Sequence, residues 1–130
     1  MVFAKFLNGK IECKKGVFGK APMKPNLCIA VLGDSIITSM NNGVLAYWKG
    51  NFCSRVYKEH NKAVGALCER PDGGIISGDI LGNIILWSHN MSKEKEISLP
   101  KLLNPIVSNN PRIISLYEAN NHILVGTRGG

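Results

Sequence analysis

His60 and Ser77 are the two residues whose types come nearest to a catalytic pair, because an imidazole can remove the proton of a serine hydroxyl. A working pair also needs an acid that orients the imidazole, and the sequence places none where it is expected. Ser77 falls in the middle of a predicted strand, whereas a nucleophilic serine is typical of a strained, exposed turn. The pattern therefore favours a structural role for both residues and predicts that the protein is not an enzyme.

The carboxylates and the glycine-rich turns give no indication of a bound ion or nucleotide. Asp34, Asp72 and Asp79 fall in three separate turns, without the close spacing that ligands of one cation show. Turn chemistry explains each of them better. The sequence contains neither a GxxxxGK[ST] loop nor a GxGxxG turn after a strand. We therefore expect no metal, no cofactor and no catalytic site.

The cysteines and the apolar runs bear on the compartment of the protein. No two cysteines are close enough to form a CxxC pair, so a zinc or redox site has no support. Cys28 and Cys68 lie among apolar residues and are predicted to be small buried hydrophobes. No signal peptide is recognisable, and the apolar runs are too short to span a membrane. These features favour a reducing, cytoplasmic compartment without membrane contact.

The net charge of +7 is concentrated near the start of the chain, where lysines far outnumber the single acid Glu12. A basic surface favours acidic partners, although a merely solvated lysine-rich edge is an equally good interpretation of the charge. Nucleic acid is not expected, because stacking aromatics interleaved with basic residues are lacking. The candidate partner contacts are Lys5, Lys10, Lys14, Lys15, Lys20 and Lys24.

The strongest pattern is an internal repeat. The segment IITSMNNGVLAYW, which starts at Ile36, aligns without a gap to IISGDILGNIILW, which starts at Ile75, and a third copy begins at Ile123. A period near 40 residues that closes on a tryptophan is typical of a propeller blade. The first two copies each lie in a stretch of four short strands separated by turns rich in Asn and Gly, so we predict an all-β fold of four-stranded antiparallel blades.

The predicted boundaries follow from these strands and turns. Residues 1–20 form outer strands of a preceding blade, residues 26–59 and 60–100 form two blades, and residues 111–130 begin a further blade. A polar link runs from Pro100 to Pro111, and no segment carries a sustained helical period. A ring typically needs 4–8 blades, so we expect the chain to be part of a longer polypeptide. Alone, it is expected to oligomerise or to fold poorly.

The repeats resemble those of WD-repeat proteins. Such a repeat has a His before its first strand, a Ser or Thr in the second strand, an Asp in the next turn and a Trp in the third strand, and these side chains hydrogen-bond across the blade. Leu81 stands where the Asp is usual, so the network of the second copy is expected to be incomplete. The first copy has no matching His. The predicted structural residues are His60, Ser77, Trp87, Thr38 and Trp48.

Within that superfamily, the chain resembles the second propeller of the echinoderm microtubule-associated protein-like (EMAP-like) family. The stretches that carry the resemblance are KKGVFGK, LCIAVLGDSIITSMNNGVLAYWKG, KAVGALCERPDGGIISGDILGNIILW and ISLYEANNHILVGTRGG. The resemblance implies a non-catalytic scaffold of the cytoplasm and cytoskeleton that binds tubulin and microtubules, whose surfaces are acidic. The alternative is a generic WD-repeat protein-interaction scaffold in a signalling or ubiquitin-ligase assembly.

Overall fold

The structure is a computed structural model that describes residues 1–19, 21–103 and 110–130. Strands make up nearly all of its regular elements, as predicted. In chain order they are β1 (Val2–Leu7), β2 (Lys10–Lys15), β3 (Asn26–Leu32), β4 (Ser35–Met40), β5 (Leu45–Lys49), β6 (Phe52–Tyr57), β7 (Val64–Glu69), β8 (Ile75–Asp79), β9 (Asn83–Trp87), β10 (Lys93–Ser98), α1 (Leu99–Leu103), β11 (Ile113–Ala119) and β12 (His122–Thr127).

The strands form two four-stranded sheets and two two-stranded ones, all antiparallel. We call β3–β6 the first blade, β7–β10 the second blade, β1–β2 the N-terminal hairpin and β11–β12 the C-terminal hairpin. Neighbours in sequence are neighbours in each sheet, because short turns allow only adjacent antiparallel pairing. The all-β prediction is confirmed. The helix α1 was not predicted, and it occupies the start of the expected link, whose residues 104–109 lie outside the described residues.

Asn-Gly turns set the register of the strands, since both residue types adopt positive φ at low energy. Asn8 and Gly9 have φ values of 50° and 73° and close the N-terminal hairpin in the register Leu7↔Lys10. Gly43 has a φ of 87°, and a side chain there would collide with the backbone oxygen of His60. Glycine at this turn therefore lets the first blade approach the chain segment that leads into the second.

The hydrophobic core lies between the sheets, so the sheets stack face to face. The first and second blades bury Ile37 and Leu45 against Val64 and Trp87. A second cluster joins the second blade to the C-terminal hairpin, and a third joins the N-terminal hairpin to the first blade. Strand β7 lies between β3 and β11, which makes these three the inner strands of an arc. None of the described residues forms a helix with the length and hydropathy that crossing a bilayer requires.

Candidate functional site

A chain of buried hydrogen bonds runs through the second blade. His60 Nδ1 lies 3.0 Å from Asp79 Oδ2, and His60 Nε2 lies 2.7 Å from Ser77 Oγ. The indole Nε1 of Trp87 donates to the same Ser77 Oγ over 2.8 Å. All four residues are buried. The network therefore ties the segment before β7 to the strands β8 and β9.

Asp79 is the most heavily bonded member of this network. Its Oδ1 accepts the backbone N–H groups of Leu81 and Asn83, each at 2.9 Å, and its Oδ2 accepts the side-chain amide of Asn83 at 3.1 Å. Burial raises the pKa of this carboxyl, but the hydrogen bonds from His60, Asn83 and Leu81 outweigh burial and hold the pKa below its ordinary value of 3.8. Asp79 is therefore ionised at neutral pH.

Two expectations about this site are wrong. The sequence predicted an incomplete network, because Leu81 stands at the usual Asp position, and it predicted no acid that orients His60. Asp79 contacts His60 and supplies that acid. Asp79 ends β8 two residues after Ser77, so the two side chains project from the same face of the strand and His60 bridges them. Leu81 instead projects into solvent and contributes only its backbone N–H. The Ser-x-Asp spacing in β8 was the signal that could have revealed this pairing.

The Ser77–His60–Asp79 arrangement has the connectivity of a hydrolase triad, yet its setting is that of a structural network. A nucleophilic serine must reach its substrate, whereas the exposed fraction of Ser77 is 0%. Its oxygen is also engaged by the indole N–H of Trp87. The arrangement thus satisfies buried polar groups and fixes strand positions rather than presenting a nucleophile.

The first blade keeps only the innermost part of this network. Trp48 Nε1 donates to Thr38 Oγ1 over 2.9 Å, and both residues are fully buried. At the positions that match His60 and Asp79 in the strand register, the first blade carries Pro22 and Met40. Met40 is fully buried and belongs to the same hydrophobic cluster as Trp48 and the half-buried Ala21. Apolar side chains thus stand where the second blade has its histidine–aspartate contact.

Aromatic rings surround Trp48 in a way that the sequence did not indicate. The ring of Phe3 lies 5.3 Å from that of Trp48, and the ring of Phe18 lies 5.0 Å away in an edge-on arrangement. In the second blade, Trp87 receives one such contact, from Tyr57 at 5.6 Å. The phenylalanines come from the N-terminal hairpin and its following segment, which therefore completes the environment of the first blade.

The candidate contact lysines do not form one cluster. Lys5, Lys10 and Lys14 occupy one face of the N-terminal hairpin, as its register shows, because paired and alternate residues share a face. Lys15 pairs with Val2 on the opposite face, and Lys24 lies in the loop before β3. Lys20 lies outside the described residues. The structure thus brings together three of the six predicted contacts.

A groove separates this lysine face from the first blade. It has a volume of about 310 Å³ and an open mouth. Lys5 and Lys14 border it from the hairpin, and Asp34 borders it from the β3–β4 turn. Glu12, which pairs with Lys5, is the acidic residue of the same hairpin face. The groove lining therefore carries two lysines and two carboxylates, with no excess of either charge.

Curated relatives match the chain over most of its described length. The human echinoderm microtubule-associated protein-like 4 is 32% identical over 105 residues, which cover 67% of this chain and 11% of that protein. The rat echinoderm microtubule-associated protein-like 2 is 31% identical over 106 residues, which cover 75% and 16%. The human echinoderm microtubule-associated protein-like 1 is 28% identical over 127 residues, which cover 90% and 16%. The chain thus spans between a tenth and a sixth of these relatives' length. No protein-family model matches.

Solved structures agree on the architecture. The WD40 β-propeller domain of Doa1 superposes with a TM-score of 0.69 at 23% identity, over 94% of this chain and 39% of that one. The Cps50 (Swd1) β-propeller domain of Myceliophteria thermophila gives 0.64 at 15% identity, over 82% and 33%. The chain is a WD-repeat propeller segment that resembles the EMAP-like proteins. The names of these matched proteins do not indicate catalysis.

Two further features of the WD-repeat segment bear on its chemistry. Within residues 1–19, 21–103 and 110–130, no group of three or more His, Cys, Asp or Glu residues could hold a metal ion. Arg70 joins the second blade to the C-terminal hairpin, since its guanidinium contacts Glu94 at 2.8 Å and Glu118 at 2.9 Å. Its side chain is mostly buried, so this ion pair is a fixed link between sheets that the sequence did not indicate.

Proposed function

We propose that this WD-repeat segment provides a basic docking surface for an acidic protein partner, and that the partner is tubulin in microtubules. The lysine face of the N-terminal hairpin, Lys5, Lys10 and Lys14, is the observation that carries the proposal. The relatives are named as microtubule-associated proteins, and this chain carries a net charge of +7. Opposite charge at an interface raises the rate of encounter and selects the partner.

The three lysines are available for such a contact. All three are exposed, and within the described residues none of them forms an ion pair. Lys93 provides the contrast, because its ammonium group contacts both Glu59 and Glu96 at 3.0 Å. A lysine without an internal partner can neutralise an acidic partner without first losing an ion pair. The proposal places the protein on the cytoskeleton in the cytoplasm.

Co-sedimentation with microtubules tests the proposal with the intact 130-residue chain. We expect the chain to pellet with polymer at low salt and to dissociate as salt screens the lysines. Replacing Lys5, Lys10 and Lys14 with Gln should weaken binding by about tenfold, since charge complementarity is lost at one face. The measurement is the fraction pelleted across a range of polymer concentrations at two ionic strengths.

A matched control carries the same change in net charge elsewhere. Lys58, Lys62 and Lys101 are also exposed and lie outside the N-terminal hairpin. Replacing these three with Gln should leave most of the binding intact. Equal weakening by both triple variants would show that total charge and not the lysine face decides binding. Failure of the wild-type chain to pellet at low salt would reject tubulin and leave a protein-interaction scaffold with another partner.

A further inference from the structure

The sequence contains two Asn-Gly pairs, Asn8-Gly9 and Asn42-Gly43, and each lies in a turn between antiparallel strands. The backbone nitrogen of the glycine in such a pair can attack the side-chain carbonyl carbon of the asparagine, because glycine has no side chain that blocks the approach. The attack needs an asparagine amide and a glycine N–H that other groups do not hold. The two turns of this chain differ in that respect.

The turn at Asn42-Gly43 holds both reacting groups. The N–H of Gly43 donates to the backbone oxygen of Met40 over 3.2 Å, and Asn42 Oδ1 accepts the N–H of Val44 over 3.3 Å. Gly43 is also buried against the backbone of His60. Moving the Gly43 nitrogen onto the Asn42 side chain would therefore break hydrogen bonds and separate the first blade from the segment that leads into the second.

The turn at Asn8-Gly9 leaves both reacting groups free. Among the residues that the structure describes, neither the side chain of Asn8 nor the N–H of Gly9 has a hydrogen-bond partner. Both residues are exposed, and apart from the chain neighbours of Gly9 no atom lies within 4 Å of the place that a Cβ there would take. A turn with so few contacts opens locally at a low cost in free energy.

The openness of this turn belongs to its position in a blade. The matching turn of the complete first blade is Gly50-Asn51, which joins the outer strands β5 and β6 as Asn8-Gly9 joins β1 and β2. Gly50 has a φ of 56°, is exposed, and likewise has nothing but its chain neighbours within 4 Å of a Cβ there. The turn between the two outer strands thus faces solvent, whereas the Asn42-Gly43 turn packs against the next segment.

We propose that Asn8 is a site of spontaneous deamidation that lowers the charge of the lysine face. The Gly9 nitrogen forms a bond to Cγ of Asn8, and the bond from Cγ to the side-chain nitrogen breaks. That nitrogen leaves as ammonia, together with the proton of the Gly9 N–H. Water then opens the five-membered imide at either carbonyl and leaves aspartate or isoaspartate at position 8. Both products carry a carboxylate, and water is the only co-reactant.

The new carboxylate stands beside the lysine face, two residues before Lys10. Three lysines and Glu12 give this face of the hairpin a net charge of +2, which the reaction lowers to +1. A weaker opposite charge slows the encounter with an acidic partner. Isoaspartate also adds a methylene group to the main chain, in the turn that sets the register of β1 and β2. This consequence rests on the proposed docking function, whereas the reaction itself does not.

Peptide mapping by mass spectrometry tests the reaction in the 130-residue chain, kept in mildly alkaline buffer and sampled over time. In the folded chain Asn8 should be converted faster than Asn42, by about tenfold or more, because the second turn must first open. The matched control is the same chain unfolded in guanidinium chloride, where both pairs are free and should react at similar rates. A folded chain in which Asn8 is converted no faster than Asn42 would overturn the proposal.

Microtubule co-sedimentation tests the effect on the lysine face. Asn8→Asp should weaken binding by about twofold, less than the triple lysine variant, because it changes the charge by one unit and not by three. Asn61→Asp makes the same charge change at an exposed residue outside the N-terminal hairpin and should bind as the wild type does. Storage in the alkaline buffer should weaken the wild-type chain but not Asn8→Gln, whose longer side chain disfavours the five-membered imide.

The two experiments separate the reaction from its consequence. Unchanged binding by Asn8→Asp, beside weakened binding by the triple lysine variant, would reject the effect on the lysine face and leave the deamidation site standing. A wild-type chain that does not pellet would reject that effect together with the proposed docking function. The rates at Asn8 and Asn42 would still decide whether the reaction occurs as proposed.

Discussion

In the second blade, Trp87 is held by a serine that also bonds to a histidine, which in turn contacts an ionised aspartate. In the first blade, Trp48 is held by Thr38 alone and is surrounded by apolar side chains. The backbone plan of the two blades is the same, with four antiparallel strands in the same order. The two blades thus reach the same architecture through different interior chemistry.

From this difference we predict that the buried histidine and aspartate act as a unit. A buried charge without its partner destabilises a protein strongly, whereas replacing a whole ion pair by apolar groups is often neutral. The first blade has other residues at both positions, Pro22 and Met40. It has kept the single hydrogen bond that the buried indole N–H needs. A repeat can lose its characteristic polar residues when a hydrogen-bond donor and its acceptor are replaced together.

The largest expected effect comes from giving one blade the residue that the other blade carries at the position of Asp79 and Met40. Asp79→Met would leave the imidazole of His60 and two backbone N–H groups without their acceptor, and Met40→Asp would bury a carboxylate without a partner. Each change should lower the free energy of unfolding by about 3–5 kcal/mol. Urea denaturation at one fixed protein concentration measures both, because self-association would otherwise shift the midpoint.

The double variant Pro22→His/Met40→Asp is the control for that exchange. If the two residues act as a unit, the added histidine should recover about 0.5–3 kcal/mol of the loss caused by Met40→Asp alone. The hydroxyl of Thr38 already lies at the repeat position of Ser77 and can complete the network. A double variant that is no more stable than Met40→Asp would show that the first blade lacks the geometry for the pair.

A smaller effect separates Ser77 from Thr38. Ser77→Ala leaves both the Trp87 indole and His60 Nε2 without a partner, whereas Thr38→Val leaves only the Trp48 indole without one. At about 1–3 kcal/mol for each unsatisfied buried group, the serine variant should lose more stability than the valine variant. The comparison uses urea midpoints of the two variants. Equal losses would mean that His60 finds another partner when the serine hydroxyl is absent.

The smallest expected effect is a loss of stability at acidic pH that arises from Asp79 in the second blade. The folded pKa of Asp79 lies below its ordinary value of 3.8. Its contribution to stability is therefore fully present above that value and is lost as the pH falls through the lowered folded pKa. Asp79→Asn should remove this part of the acid sensitivity, while Thr38→Val should retain it. Urea midpoints measured from neutral to strongly acidic pH would show the same slope for all three proteins if Asp79 contributed nothing.

Several parts of the fold could be predicted from local sequence. The recurrence of Ile36 at Ile75 and of Trp48 at Trp87 indicated blades, because inter-sheet packing demands the same apolar residues at the same strand positions. Asn8-Gly9 indicated a hairpin through its backbone preferences. Cys68 is buried as expected, whereas Cys28 is only half-buried. The exposure of a cysteine side chain depends on what packs against its face of the sheet, and not on its neighbours in the sequence.

The sequence by itself determined the strands, their order and the two tryptophan positions, because alternation and turn chemistry act over a few residues. Only the tertiary structure decided which acid faces His60 and which lysines share a face. It also decided that Phe3 and Phe18 complete the surroundings of Trp48. These facts depend on register and on the approach of segments distant in the chain. Asp79 was visible in the sequence as a turn residue, but its role follows from the direction in which β8 carries its side chain.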